Sequence, residues 1–296
     1  KPDLVVLGRE LLAWYAVDVC RELEVPALVT VQGSPTAGLE HGIYPPAAAE
    51  ELVRHLADAA GLVTVAGHLR ETLTRLGAPG AQTVRNVVDP RRFTPREKDV
   101  ALMRELSIDP SQHVIGSFTS QRPEKRLGDI IDAAPRVLAE RPEALFLIGG
   151  GGPLGESLRD AVKQRGLTES FRFPGEVENA EMPRWLSMAD LVVMPSEREG
   201  WPLTILEAQA CGRPVVASDI PATRELRALG RPVSSFPVGD AGALAGRLLD
   251  LLADRERRRE LGLTGREAAL KDDPDEWARA HSRVIEQVAA RAGRPA

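Results

Sequence analysis

The chain has 296 residues, of which 43% are hydrophobic and 27% charged, and its formal net charge is -5. This composition is ordinary for a globular protein, and the length allows two domains. The acidic balance argues against a nucleic-acid-binding protein, which would carry a basic footprint. No apolar run approaches the roughly 18 residues of a membrane span. We therefore expect a soluble, cytoplasmic enzyme, whose 38 Lys and Arg residues still allow a basic patch for peripheral membrane contact.

The cysteines and histidines predict no metal site. Only two cysteines occur, Cys20 and Cys211. They lie far apart in sequence, each in a predicted helix, so we expect two reduced, buried thiols. No His, Cys or carboxylate residues recur at metal-ligand spacing.

The first part of the chain, up to about residue 92, alternates predicted strands and helices. Strands are predicted at 4–7, 26–31, 62–65 and 82–86, and helices at 10–23, 47–60 and 68–76. Such alternation predicts a parallel sheet with right-handed crossovers. A complete doubly wound domain holds roughly 150 residues, so we expect this N-terminal domain to be incomplete. A naturally short domain is the alternative.

The remainder of the chain has the same alternation. Strands are predicted at 114–119, 144–148, 171–173, 191–194, 215–217 and 233–236. Helices are predicted at 127–140, 154–164, 182–188, 203–211, 240–253, 255–270 and 275–290. The charge run at 255–259 is interpreted as a solvated helix face. The fold class predicted for the whole chain is therefore α/β.

The most informative stretch covers residues 190–225. An apolar strand leads into a loop with Glu199 and Gly200, a helix with Glu207 follows, and Gly212 ends that helix before another strand. Ligands of open parallel sheets bind beyond the carboxyl ends of the strands. We expect the two glutamates to face one crevice there.

Residues 207–218 have the sequence EAQACGRPVVAS, and Glu199 lies eight positions before Glu207. This pattern resembles the family-four retaining glycosyltransferases, which use nucleotide sugars. Their GT-B architecture has two Rossmann-like doubly wound domains facing across a cleft. Residues 86–95 resemble the motif that leaves the family's N-terminal domain, with Val87 in place of its glycine.

The resemblance implies a domain organisation. It places a partial N-terminal acceptor-side domain at 1–95 and a nucleotide-sugar-binding domain at 96–274. A terminal helix at 275–296 is expected to cross back to the N-terminal domain, with Trp277 as a candidate anchor.

The resemblance also implies which residues meet the departing diphosphate without a metal or other cofactor. Pro-Glu-Lys at 123–125 matches a family motif, so Lys125 is implied to contact the leaving phosphate. Arg122 is expected to replace the family's arginine, whose position holds Ser120 here. The glycine loop at 149–152, with Gly150 and Gly151, opens a helix and is expected to present backbone N–H groups to phosphate.

Other residues are implied to bind the rest of the donor. Glu199 would contact sugar hydroxyls, and Glu207 the vicinal ribose hydroxyls, since a carboxylate accepts two charge-strengthened hydrogen bonds. Gly200 and Trp201 would offer N–H groups near the sugar. The backbone of Val177 would meet the base.

The N-terminal domain departs from the family at one position. Gln32 replaces a histidine that touches the donor sugar. A glutamine can hydrogen-bond a hydroxyl but cannot act as a base. Transfer does not require a base if the leaving phosphate accepts the acceptor's proton.

The leading hypothesis is a metal-independent retaining glycosyltransferase that moves a sugar from a nucleotide-diphosphate sugar to an acceptor hydroxyl. The acceptor could be a saccharide, a lipid-linked molecule or a small molecule. One alternative is another GT-B nucleotide-sugar enzyme, such as an epimerase. The other is a catalytically weak nucleotide-sugar-binding module, suggested by Gln32 and Ser120.

Overall fold

A computed structural model describes residues 1–292 of the chain. Its contacts group the residues into two compact units. The first unit comprises Lys1–Val87, Glu199–Trp201 and the segment that begins at Asp273, and the second comprises Val88–Arg198 and Pro202–Asp272. Each unit has one parallel sheet, which confirms the α/β prediction. Residues 293–296, the end of the predicted terminal segment, lie outside the described residues.

The first unit contains a four-stranded sheet. Its strands are β1 (Val5–Leu7), β2 (Ala27–Val31), β3 (Gly61–Thr64) and β4 (Gln82–Thr83). Its helices are α1 (Ala13–Glu22), α2 (Ser34–Glu40), α3 (Pro46–Asp58) and α4 (Gly67–Leu76). The strands lie in chain order and all pair in parallel.

The second unit contains a six-stranded sheet. Its strands are β5 (His113–Phe118), β6 (Ala144–Gly149), β7 (Phe171–Gly175), β8 (Leu191–Met194), β9 (Val215–Ser218) and β10 (Ser234–Phe236). Its helices are α5 (Val100–Glu105), α6 (Gly128–Glu140), α7 (Gly155–Gln164), α8 (Met182–Met188), α9 (Leu203–Ala210), α10 (Pro221–Ala228), α11 (Ala241–Ala253) and α12 (Arg255–Ala269). The strand order is β10-β9-β8-β5-β6-β7. Because β5 pairs with β6 on one side and β8 on the other, the order reverses at β5, and a ligand crevice is expected beyond that point.

The core of the second unit is apolar and closely packed. All six residues of β6 are buried, and the Phe146 ring stacks on Phe171 with centroids 4.7 Å apart. Helices α6 and α11 pack against each other beside this core. Helix α12 packs on α9, where Gly265 lies against Gln209.

The terminal helix α13 (Pro274–Ala292) packs on the first unit's sheet. Val284 and Val288 are 4% and 3% exposed and join a small core with Leu28 and Val63. Gly61 makes room for this contact, because an added Cβ would lie 2.6 Å from a Val288 methyl group. Among the described residues no helix combines the length and the apolar character needed to cross a bilayer.

Most predicted elements occur within two residues of their expected bounds, and 182–188 and 191–194 coincide with α8 and β8. Three short helices, α2, α5 and α10, were not predicted. The helix predicted from residue 10 is wrong in its first turn, since Glu10–Leu12 form a 3-10 turn. Cys20 and Cys211 are free and buried, as predicted, although Cys211 caps α9 instead of lying within it.

We predict that Val288→Asp destabilises the first unit. It would bury a carboxylate with no partner beside Leu28 and Val63, which should lower the free energy of unfolding by about 3 kcal/mol or more. Urea denaturation and protease cleavage within α13 measure this loss. Ile285→Asp is the matched control on the same helix, because Ile285 is 37% exposed. Equal, small effects of both variants would contradict the packing of α13 described above.

Candidate functional site

The glycine loop after β6 is bonded to the segment after β5. The Thr119 N–H donates to the Gly149 carbonyl (3.1 Å), and the Gln121 N–H donates to the Gly151 carbonyl (2.8 Å). The Gln121 side-chain amide donates to the Gly150 carbonyl at 2.7 Å. Gly150 has a φ of +123°, and an added Cβ would lie 2.0 Å from the Thr119 oxygen. Only glycine fits this position.

The same loop contacts the chain after β7. The Gly150 N–H donates to the Gly175 carbonyl at 2.7 Å, so this amide is engaged within the protein. The Glu176 side chain covers Gly151, where an added Cβ would come within 2.7 Å of it. Val177 follows and is half-buried. The loop brings Gly150, Gly151 and Val177 together, while their contact with a donor stays a prediction.

The cationic segment forms a fixed turn. Lys125 is half-buried and ends the 3-10 turn Pro123–Lys125, and Arg122 before it is exposed. The Glu197 N–H donates to the Glu124 carbonyl at 2.9 Å, which ties this turn to the loop after β8.

The next cation, Arg126, is already paired. Its guanidinium makes two hydrogen bonds of 2.9 Å to the carboxylate of Asp129. This bonding raises its pKa. Its charge is therefore largely neutralised by Asp129, which makes it a poor ligand for phosphate. Lys125 and Arg122 are the better candidates.

Glu207 lies in the second turn of α9 and is half-buried. Burial raises the pKa of its carboxyl from 4.5 to about 6, although Arg92 partly opposes the shift. Within residues 1–292 its side chain has no ion-pair or hydrogen-bond partner. A desolvated carboxylate without a partner is costly to keep ionised, and such perturbed acids cluster at functional sites.

Three buried serines lie at or near the carboxyl ends of neighbouring strands. Ser117 is in β5, Ser218 ends β9, and Ser196 follows β8. Their hydroxyls have no hydrogen-bond partner within the part of the chain that the structure describes. Buried polar atoms are nearly always bonded, so this edge of the sheet has unused hydrogen-bonding capacity. The same part of the chain contains no cluster of His, Cys, Asp and Glu suited to a metal ion.

In the first unit, three predicted residues are close together. Gly200 packs on the turn after β2, where an added Cβ would lie 1.8 Å from the Gln32 carbonyl oxygen. Gly33, with a φ of +107°, touches Gly200 backbone to backbone. Trp201 is 8% exposed, and its indole N–H donates to the Asn86 carbonyl at 2.8 Å. Glu199 precedes this contact and is half-buried.

Sequence reasoning missed Glu10, which is 0% exposed. One carboxylate oxygen accepts the Gln32 N–H at 2.9 Å. The other accepts the Gly33 N–H at 2.8 Å and the Thr36 hydroxyl at 3.3 Å. Glu10 therefore fixes the turn that carries Gln32. Its position just after β1 was the only signal in the sequence, because its partners lie more than twenty positions away.

We predict that Glu10→Gln loosens this turn. The amide nitrogen cannot accept a hydrogen bond, so a buried N–H loses its partner, at a cost of about 2 kcal/mol. Hydrogen exchange at Gly33 should accelerate, and the free energy of unfolding should fall. Glu22→Gln on the exposed face of α1 is the control and should change stability by less than about 0.5 kcal/mol. Unchanged exchange at Gly33 in Glu10→Gln would contradict the role of this carboxylate.

Two named relatives are 30% and 31% identical to the chain over the aligned residues. It is 30% identical over 191 residues to the N-acetyl-alpha-D-glucosaminyl L-malate synthase of Bacillus anthracis, a match covering 64% of this chain and 49% of the relative. It is 31% identical over 211 residues to the GDP-mannose-dependent alpha-(1-6)-phosphatidylinositol monomannoside mannosyltransferase of Mycolicibacterium smegmatis, covering 69% of this chain and 55% of the relative. The chain spans about half the length of these relatives.

Solved structures share the fold. Anabaena HepE in complex with UDP and glucose matches 96% of this chain and 77% of its own, with a TM-score of 0.85 at 18% identity. The C-terminal domain of LpcC, a glycosyl transferase group 1 family protein of Francisella tularensis, matches 62% of this chain and 97% of its own, with a TM-score of 0.56 at 26% identity. The family described as glycosyl transferases group 1 matches residues 101–268. The chain therefore belongs to the glycosyl transferases group 1 family.

Proposed function

We propose that this chain acts in a metal-independent, retaining transfer of a sugar from a nucleotide-diphosphate sugar to an acceptor hydroxyl. Glu207 carries the proposal. It lies in the family motif, and burial desolvates its carboxylate and raises the pKa to about 6. Vicinal ribose hydroxyls would supply the two hydrogen bonds that this carboxylate lacks within the protein. The HepE structure contains UDP, and the mycolicibacterial relative is GDP-mannose-dependent, which supports a nucleotide-sugar donor.

The second unit supplies groups suited to a leaving diphosphate. The Lys125 ammonium and the Arg122 guanidinium would meet the negative charge that grows on the departing oxygen. Gly151 and the start of α7 would offer backbone dipoles to the same phosphates, and the backbone of Val177 would meet the base. Restricted water access would strengthen each of these interactions.

The transfer step balances without a protein base. The bond from the anomeric carbon to the diphosphate oxygen breaks, and a bond to the acceptor oxygen forms on the same face of the sugar. The acceptor's proton passes to the departing phosphate oxygen. Glu199 would accept hydrogen bonds from sugar hydroxyls, the backbone N–H groups of Gly200 and Trp201 would donate to the sugar, and Gln32 would do so through its amide. A glutamine suffices in that role because no proton transfer passes through it.

The proposed organisation follows the family. Residues 1–95 would belong to the acceptor side, residues 96–274 would bind the nucleotide sugar, and the helix from about 275 would return to the N-terminal part. The acceptor would be a saccharide, a lipid-linked molecule or a small molecule, reached from the cytoplasm and with peripheral membrane contact in the lipid-linked case.

Calorimetric titration with UDP, GDP, ADP and dTDP in EDTA tests the proposal. We expect one diphosphate to bind selectively, and Glu207→Gln to weaken it at least about tenfold, because the amide accepts fewer and weaker hydrogen bonds. Glu140→Gln, on the exposed end of α6, should leave the affinity unchanged. If the folded protein binds none of the four nucleoside diphosphates, the proposed function is wrong. Selective binding without sugar transfer would favour the binding-module alternative.

The raised pKa of Glu207 also predicts a pH-dependent stability difference. Because the folded-state pKa of about 6 exceeds the ordinary 4.5, the protonated side chain is the favoured form in the fold. Its stabilising contribution is full below pH 4.5 and is lost as the pH rises through about 6. Glu207→Gln should therefore be more stable than wild type at pH 7.5, by on the order of 1–2 kcal/mol, with little difference near pH 4.5.

Urea denaturation at both pH values measures this difference, with Glu140→Gln as the reference. A gain in stability that does not change with pH would show that the Glu207 carboxyl is not the titrating group. Stability and nucleotide affinity should thus move in opposite directions in the same variant.

A further inference from the structure

A large cavity lies at the amino edge of the second unit's sheet, the edge opposite the glycine loop. Its volume is about 950 Å³, and Asp190, just before β8, and Pro214, just before β9, contribute to its wall. Six cationic side chains line it: Arg96, Lys98, Arg213, Arg255, Arg258 and Arg259. Only two acidic side chains do so, Glu97 and Asp190. The lining therefore has an excess of four positive charges, in a chain whose net charge is -5.

The contacts of these cations orient them and compensate only part of their charge. Arg259 pairs with Glu256, which lies outside the lining, at 3.8 Å. Lys98 pairs with Asp190 at 2.7 Å. The Arg258 guanidinium donates to the Leu252 carbonyl at 2.7 Å. Carbonyl oxygens hold a guanidinium in place without neutralising it. Arg96 and Arg255 form no ion pair with any residue in the described range 1–292.

Arg213 gives an independent indication of a missing anion. Its guanidinium donates to the Arg96 carbonyl at 2.7 Å. Its Nε is buried and has no hydrogen-bond partner among the described residues. Burial also lowers its pKa. Asp190 and Glu97 oppose this shift only in part, and Arg213 forms no ion pair within residues 1–292. A buried cation without a paired carboxylate is unfavourable, and an anion in the cavity would relieve this cost.

The charge run at the start of α12 divides between two surfaces. Arg255, Arg258 and Arg259 line this cavity. Arg257 instead lines a different cavity and pairs with Glu260 at 2.8 Å. Four of the five residues at 255–259 are exposed, as expected for a solvated helix face, and Arg257 is a matched control for the arginines that line the cavity.

We propose that this cavity binds a small, soluble ligand with two or more linked phosphate groups. A phosphate monoester carries about two negative charges at most, so a single phosphate would leave part of this positive excess unbalanced, and two or more linked phosphates fit it better. Guanidinium groups bind phosphate oxygens through paired hydrogen bonds. The concave shape admits a small ligand, and the acidic net charge disfavours a nucleic acid. This site is separate from the proposed donor site.

Calorimetric titration with tripolyphosphate in EDTA tests the proposal. We expect the double variant Arg96→Ala/Arg255→Ala to raise the Kd about tenfold or more, through the loss of two unpaired cations. Arg257→Ala, which removes the same charge from the same turn of α12, should change the Kd less than twofold. Lys125→Ala should leave the binding that depends on Arg96 and Arg255 unchanged, because Lys125 belongs to the proposed donor site and not to this cavity.

Each contrary result is informative. Equal weakening by Arg257→Ala would mean diffuse attraction to the surface, and loss of binding in Lys125→Ala would assign the ligand to the donor site. No binding at all would overturn the proposal without affecting the nucleotide titrations. A lipid headgroup is the remaining outcome. If the protein sediments with phosphatidylglycerol vesicles, the double variant does not, and free tripolyphosphate does not bind, then the cavity binds a lipid headgroup and the proposal is wrong.

Discussion

Burial of the central strands in the six-stranded sheet is the constraint on which the second unit depends. Every residue of β6, β8 and β9 is buried, and their backbone groups are satisfied by parallel pairing. Such strands have no place for charged side chains along their length. Polar groups therefore gather at the strand ends. The glycine loop and the Lys125 turn occupy one edge of the sheet, and the basic cavity occupies the other.

Glu207 and Arg213 lie six positions apart and share one physical property. Each is a desolvated charged group without an ion-pair partner in the described chain, and the two carry opposite charge. Burial shifts both pKa values toward the neutral form. Burial thus disfavours the charged form of each group, and such perturbed groups cluster at functional sites. Under our two proposals, the motif around α9 would supply an acceptor for hydroxyl groups at Glu207 and a donor for anions at Arg213.

Local signals in the sequence account for the sheets and for most helices. The apolar run of β8 is too short to form a helix. Gly77 and Gly212 end their helices with φ values of +100° and +70°. Helices α2, α5 and α10 escaped prediction because six to eight residues are too few to show an apolar period. The role of Glu10 was invisible for another reason. Its partners follow it by 22 to 26 positions, and only the folded chain brings them together.

The segment Glu199–Trp201 has a consequence for the order of folding during synthesis. It belongs to the first unit, although the residues on both sides of it belong to the second. The turn at Gln32 therefore cannot gain its contact with Gly200, nor Asn86 its bond to the Trp201 indole, until most of the second unit has left the ribosome. The core around Val63 is completed later still, because it also contains Val284 and Val288. The contacts of the first unit are thus completed after those of the second, in contrast to the usual N-terminal-first order.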